Sequence, residues 1–226
     1  MRHAVKSLFL IILLFAFRIY AYTPKEGNIT ASYGLFLYKT NFNGSKELAP
    51  SPVLGDIGLV TNGDLTEHGS LEIALFHMNK IYYRNLNELY LAEKAETMHI
   101  MMGYRRWLSD YFSLGLGFYA AYSMNGYQTL HSESNVDTLI DTSARDTVEN
   151  GLDFSMQQEV WAKGKDSVFL DLRYSYSISN KENEKGDHYT LFLAFRQMIQ
   201  EKNPEPAHSE SNVTPDQIIE PRSDIK

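Results

Sequence analysis

The sequence contains no cysteine in 226 residues. Such a chain holds its fold by burial and backbone pairing alone, since no disulfide constrains its unfolded state. It also lacks a basic surplus: 21 Lys and Arg stand against 28 Asp and Glu, a formal charge of −7. Nothing in that balance suggests a nucleic-acid partner, which would want a basic face. Gly-rich phosphate loops, zinc-ligand spacings and nucleophile-elbow motifs are missing, and the chain calls for no cofactor. A convincing helical period is missing from the body of the chain; the nearest candidate, 85–95 (NLNELYLAEKA), lies between two strand-like runs. Long apolar runs are confined to the N-terminus.

That N-terminus reads MRHAVKSLFLIILLFAFRIYA over residues 1–21. Arg2 and Lys6 give a basic start, residues 8–17 are apolar, and Ile19 and Ala21 fit the positions before a cleavage point. A run this short cannot span a bilayer as a helix, which needs about 20 residues. The segment therefore reads as a secretory signal cleaved after Ala21, with an uncleaved anchor as the alternative. No cysteine follows, so it is not a lipoprotein signal. Cleavage removes Arg2, Lys6 and Arg18 and no acid, leaving 18 basic and 28 acidic residues and a net charge of −10. Sequons at Asn28, Asn43 and Asn212 are short enough to arise by chance.

What fills the rest is alternation. SLGLGFYAAYSM (113–124) places Leu114, Leu116, Phe118, Tyr122 and Met124 on one side and Ser113, Gly115, Gly117, Ala121 and Ser123 on the other. Eight strands are predicted on this basis: 29–39, 53–61, 70–84, 91–107, 112–124, 147–162, 167–179 and 188–199. Their connections alternate in length. TEHG (66–69), LSDY (108–111) and AKGKD (162–166) are tight and polar, whereas 40–52, 85–90, 125–146 and 180–187 are longer. Short turns at one end and long loops at the other, with an even strand count, are the pattern of membrane-spanning barrels.

The small-residue face decides which side is inside. A solvated face would accept long side chains; Ser, Gly and Ala instead suit a narrow interior where opposite walls nearly touch. Charge of both signs collects on that face, at Glu72, His99, Arg105, Glu149, Asp153, Gln157, Glu159, Asp171 and Arg173, which are expected to form a polar network in the lumen. Arg105 is expected opposite Gly115 across a three-residue turn at 109–111. A turn at 164–166 would set Gln157 against Arg173 and Glu159 against Asp171. Tyr104, Trp107, Tyr111, Phe112 and Trp161 beside the short turns, with Tyr82, Tyr83, Tyr122, Tyr174, Tyr176 and Tyr189 towards the long loops, are expected to form two interfacial girdles.

With its signal, loop asymmetry and a last strand HYTLFLAF rich in outward aromatics, the stretch 29–199 resembles the small eight-stranded outer-membrane barrels of Gram-negative bacteria, the OmpA/OmpX/OmpW kind. The resemblance implies an all-β fold: an eight-stranded antiparallel transmembrane β-barrel at 22–200, after a signal peptide at 1–21 and before a disordered periplasmic tail at 201–226. It implies a place in the outer membrane, contact with outer-membrane lipid and lipopolysaccharide, the barrel assembly machinery as a partner during biogenesis with Phe195 as the terminal aromatic, and a monomer. The tail departs from the family, being too short and polar for a peptidoglycan-binding domain.

Function is less constrained. A structural or surface-interaction role without catalysis leads; a narrow pore for small solutes is second and a lipid-modifying enzyme third. For the last, His131-Ser132-Glu133 and His188 with Ser177 or Ser179 hold suitable residue types, but a lumen hydrogen bond is the simpler role. Asp137, Asp141 and Asp146 in the 125–146 loop match no calcium template.

Overall fold

The computed structural model describes residues 22–42, 51–86, 89–126, 128–133, 148–179 and 186–201; the signal at 1–21 and nearly all of the tail lie outside them. Among the described residues every regular element is a strand: β1 (Ile29–Phe42), β2 (Leu54–Thr66), β3 (Gly69–Leu86), β4 (Leu89–Ser109), β5 (Phe112–Ser123), β6 (Gln128–Ser132), β7 (Glu149–Lys163), β8 (Asp166–Ser177) and β9 (Gly186–Gln200). All pairings are antiparallel. β1 pairs with β2 on one side and β9 on the other, and β3 pairs with β4, so eight strands close into a barrel. Closure leaves the ring itself without a free edge, which an apolar surround demands.

The register winds steeply. Directly paired residues run from Thr30 through Asn62, Glu72, Gly103, Gly117, Asp153, Ser175 and His188 back to Thr40, ten residues further along β1. Such a shear goes with strands tilted by roughly 35–45° to the barrel axis. Every residue on that path is polar or glycine, and all face inward. Gly103 opposite Gly117 is a place of close approach: a Cβ on Gly103 would fall 2.6 Å from Gly117 Cα.

Burial follows parity around the whole ring. Leu35, Met102, Phe118 and Leu193 stand exposed on the outer surface, while Arg105, Asp171 and Arg196 are buried. An apolar exterior around an ionic interior reverses the arrangement of a soluble protein and is stable only where the exterior meets hydrocarbon. Two aromatics assigned to the girdles belong to the interior instead: Trp107 and Tyr82 are buried, because each shares the parity of its strand's inward residues.

The strand assignments hold with small boundary shifts, but the connections differ from expectation. Each short turn has two residues, Glu67-His68, Asp110-Tyr111 and Gly164-Lys165. Each is preceded by a one-residue bulge, between Asp64 and Thr66, Trp107 and Ser109, and Glu159 and Trp161. The β1–β9 seam slips likewise at Ile29/Thr30. A two-residue turn plus a bulge conserves the parity of an odd loop, so Arg105 does face Gly115.

On β7–β8 the turn starts at Gly164, φ +63°, but ends one residue early, at Lys165, and the bulge takes another residue. The ladder is therefore displaced by two from the expected one. Gln157 faces Asp171, Ser155 faces Arg173 and Glu159 faces Phe169, rather than Gln157 facing Arg173 and Glu159 facing Asp171.

The loop end is also more ordered than expected. β3 and β4 pair out to Leu86 and Leu89, through most of the anticipated 85–90 loop. Part of the anticipated 125–146 loop is β6, which pairs with the outer half of β4. Since a spanning strand needs about 9–11 residues, the 18 and 21 residues of β3 and β4 carry this three-stranded sheet beyond the membrane. Asp137, Asp141 and Asp146 lie outside the described residues.

Replacing outward Leu172 with Arg at mid-barrel is expected to destabilise the fold by about 2–4 kcal/mol, measured by denaturant titration in lipid. A thiol probe at 172 should report lipid and one at 173 should be shielded; the reverse would show that the faces are exchanged.

Candidate functional site

The lumen is the site, and it is filled. Its centre is an ionic network on β3, β4, β7 and β8. Arg105, from β4, donates through Nε to Glu72, through Nη1 to Ser113 at 3.0 Å, and through Nη2 to Ser155 Oγ at 2.9 Å and Asp171 Oδ2 at 3.3 Å. Gly115 leaves room for this: a Cβ there would overlap Ser155 Oγ and stand 3.4 Å from Arg105 Nη2. Arg173, on β8, donates to Glu72 Oε1 and Asp171 Oδ2, both at 2.7 Å, and its Nη1 lies 3.5 Å from Asp153 Oδ1. Three carboxylates thus share two guanidiniums, the geometry that forked Arg donors suit. Asp153 also accepts from Ser175 at 2.7 Å and lies 3.7 Å from His99 Nε2.

Against this network packs an aromatic cluster. Phe36, Phe76, Phe169 and Phe192 are buried, with Phe76 5.0 Å from Phe36 and 5.5 Å from Phe192, and Phe192 5.8 Å from Phe169. The Arg173 guanidinium sits 5.2 Å from the Phe76 ring, so the charged and apolar parts of the lumen are in direct contact.

Towards the loop end Lys80 Nζ donates to Glu149 Oε2 at 2.6 Å and Tyr119 OH to Glu149 Oε1 at 3.1 Å. His188 Nε2 lies 3.6 Å from the same carboxylate, and its Nδ1 3.1 Å from Thr40 Oγ1. His99 stacks on Tyr119 at 4.2 Å and meets His188 edge-on at 6.1 Å.

Towards the turn end Arg196 pairs with Glu159 and lies between three rings, 4.5 Å from Phe169, 4.9 Å from Tyr22 and 5.3 Å from Trp107. Tyr22 comes from the segment before β1, which folds under the barrel, and its hydroxyl donates to Asp64. Burial, then the Asp64 carboxylate, push that phenol well above its usual range, keeping it a donor. Asp64 also accepts from Ser70 at 2.6 Å, and Ser70 from Trp107 Nε1 at 3.2 Å.

All nine residues singled out in the sequence face this lumen, though not in one cluster. Glu72, Arg105, Asp153, Asp171 and Arg173 form the centre, with His99 beside Asp153. Glu149 belongs to the loop-end group. Glu159 belongs to the turn-end group, with Gln157 Nε2 donating to it at 3.3 Å. Lys80 and Arg196 were missed as network members although their strand parity marks them, whereas His188 has the lumen hydrogen bond that was its simpler expected role. The partners considered for His188, Ser177 and Ser179, are not the ones it meets: it is buried against Thr40 and Glu149, and Ser179 bonds Asn150. His131, on the exposed β6, lies 3.8 Å from Glu133.

No family model matches the chain, and no curated protein sequence matches it. Solved structures align with it over most of both chains. Ail, the attachment invasion locus protein of Yersinia pestis, crystallised with the heparin analogue sucrose octasulfate, aligns over 76% of this chain and 99% of its own at 13% identity and TM-score 0.43. OprG of Pseudomonas aeruginosa aligns over 81% and 100% at 10% identity and TM-score 0.49. AlkL aligns over 84% and 98% at 7% identity and TM-score 0.43. All three are outer-membrane proteins. The closed ring, polar lumen and apolar exterior described above define the chain as an eight-stranded transmembrane β-barrel of the outer-membrane type.

Arg173→Met should cost about 3–5 kcal/mol, the usual effect of leaving buried carboxylates uncompensated. Adding Asp153→Asn should recover part of that, since among the described residues Arg173 is the only Lys or Arg in ion-pair range of Asp153. Adding Glu159→Gln should recover nothing, because its cation is Arg196. Double-mutant cycles by urea unfolding measure both couplings.

Proposed function

We propose that the protein is a non-conducting outer-membrane barrel with a structural role, presenting the projecting β3–β4–β6 sheet for surface interaction, and that it catalyses no reaction. The observation that carries this reading is the occupied lumen. Phe36, Phe76, Phe169 and Phe192 pack against a carboxylate–guanidinium network whose members are each buried. An eight-stranded barrel has interior space for its own side chains and little more, and here the side chains are large. A hydrated solute would have to displace both rings and ion pairs. For the enzymatic alternative, a buried His188 held by Thr40 and Glu149 is poorly placed to reach a lipid substrate.

The same reading has the chain exported by the signal at 1–21, inserted by the barrel assembly machinery and standing as a monomer, its outer girdle in contact with lipopolysaccharide and its tail in the periplasm. Phe195 supports this modestly: it faces outward near the turn end and meets Tyr33 at 5.7 Å across the β1–β9 seam.

Refolded protein in planar bilayers should give no unitary conductance steps, and Phe76→Ala with Phe192→Ala should introduce them. Steps from the unaltered protein would establish the pore reading instead. Lipid A of unchanged mass in cells with and without the protein is expected; a mass shift would establish the enzyme.

A further inference from the structure

At the turn end a cleft of about 530 Å³ opens between the Glu67-His68 turn, the Asp110-Tyr111 turn and the segment preceding β1. Lys25, Glu67, His68, Arg106 and Asp110 line it, all of them exposed. Among the described residues, none of Lys25, Glu67, Arg106 and Asp110 forms an ion pair. Ser109 also lines the cleft, with a buried hydroxyl that has no hydrogen-bond partner among the described residues. The walls are fixed: Trp107 N donates to His68 O at 2.9 Å, and Lys25 N to Asp64 Oδ2 at 3.1 Å. A rigid cleft lined by uncommitted charges of both signs suits a ligand that itself carries both.

The position of Arg106 narrows the class. Arg106 is the next outward residue after Tyr104 on β4, opposite Gly69 and beside the exposed Leu108. It therefore leaves the lipid-facing surface where hydrocarbon gives way to headgroups, the level at which long basic side chains reach for phosphate. In an outer-membrane barrel the short turns face the periplasm, so the adjacent lipid is that of the inner leaflet. Tyr104 and Leu71, paired above Arg106, offer an outward apolar track for acyl chains. A soluble periplasmic ligand would leave that track and the exposed Leu108 without a role.

We propose that this cleft binds the headgroup of an ethanolamine phospholipid. Arg106 and Lys25 meet its phosphate, Glu67 and Asp110 accept from its ammonium, and its chains run up over Leu108 and Tyr104. Phosphatidylcholine offers the same phosphate but no N–H donor; phosphatidylglycerol offers the phosphate without a cation. The proposal rests on the barrel's being embedded in the membrane, and not on whether its lumen conducts.

Native mass spectrometry of the full chain, released from micelles doped with equal amounts of the three lipids with matched acyl chains, tests it. Retention of phosphatidylethanolamine over phosphatidylcholine by roughly fivefold is expected, the size of one exposed ionic contact. E67Q with D110N should bring the two to equality, and K25Q with R106Q should lower both. Gel migration before and after boiling verifies that each variant is folded. Equal retention of all three lipids by the unaltered chain overturns the proposal. So does a preference for phosphatidylglycerol that E67Q with D110N strengthens, which would mark a plain phosphate site. A preference that neither double variant changes also overturns it, placing the lipid elsewhere.

Discussion

Everything in this barrel depends on one constraint: an inward charge has no water to fall back on and must be met by another inward side chain. Eight strands leave a lumen only as wide as the side chains that fill it. Desolvating Glu72, Asp171 and Arg173 costs several kcal/mol each unless the geometry returns it. The steep register supplies that geometry. By advancing ten residues around the ring, it brings Glu72 of β3, Arg105 of β4 and Asp171 and Arg173 of β8 within reach, though they are 101 residues apart at the extreme. The inward glycines and serines follow from the same requirement, since two guanidiniums need volume that neighbouring positions must give up. Gly115 is the clearest case.

That constraint also explains what could be read from the sequence. Facing was legible because a strand's parity is local: each residue's side follows from its neighbour's, and one charged or glycine-rich face suffices to orient a strand. Trp107 and Tyr82 were placed outside because aromatic identity was allowed to outweigh that parity. Lys80 and Arg196 passed unnoticed although Lys80 shares the parity of inward Glu72 and Arg196 directly follows outward Phe195.

Register was less legible. It depends on where a turn begins and whether a bulge follows, and only Gly164 carries a residue-level mark of either. The bulges at the other turns have no such mark, so β4–β5 came out right by parity while β7–β8 came out two residues off. β6 was hidden for another reason. Five exposed residues, Gln128–Ser132, carry no alternation to read, and the strand exists because β4 is long enough to offer it an edge.

The two ends of the barrel are built for different purposes. At the turn end four bulges tighten the rim, and Tyr22 and Trp107 close over Arg196. At the loop end the strands outrun the membrane, and Glu96 there accepts from half-buried Lys94 at 2.9 Å and from exposed Asn125 at 2.7 Å. Function on a rigid barrel is expected at its variable, solvated end, whereas the buried ion pairs of this chain lie inside the barrel. A transport path would need a lumen whose polar groups can exchange partners with a moving solute. Here Phe76 lies under Arg173, and Arg173 holds Glu72, Asp171 and Asp153 together, so shifting any one of them exposes charge to an aromatic wall. On the non-conducting reading proposed above, the arrangement that meets the inward charges without disulfides is also the one that would keep the barrel shut.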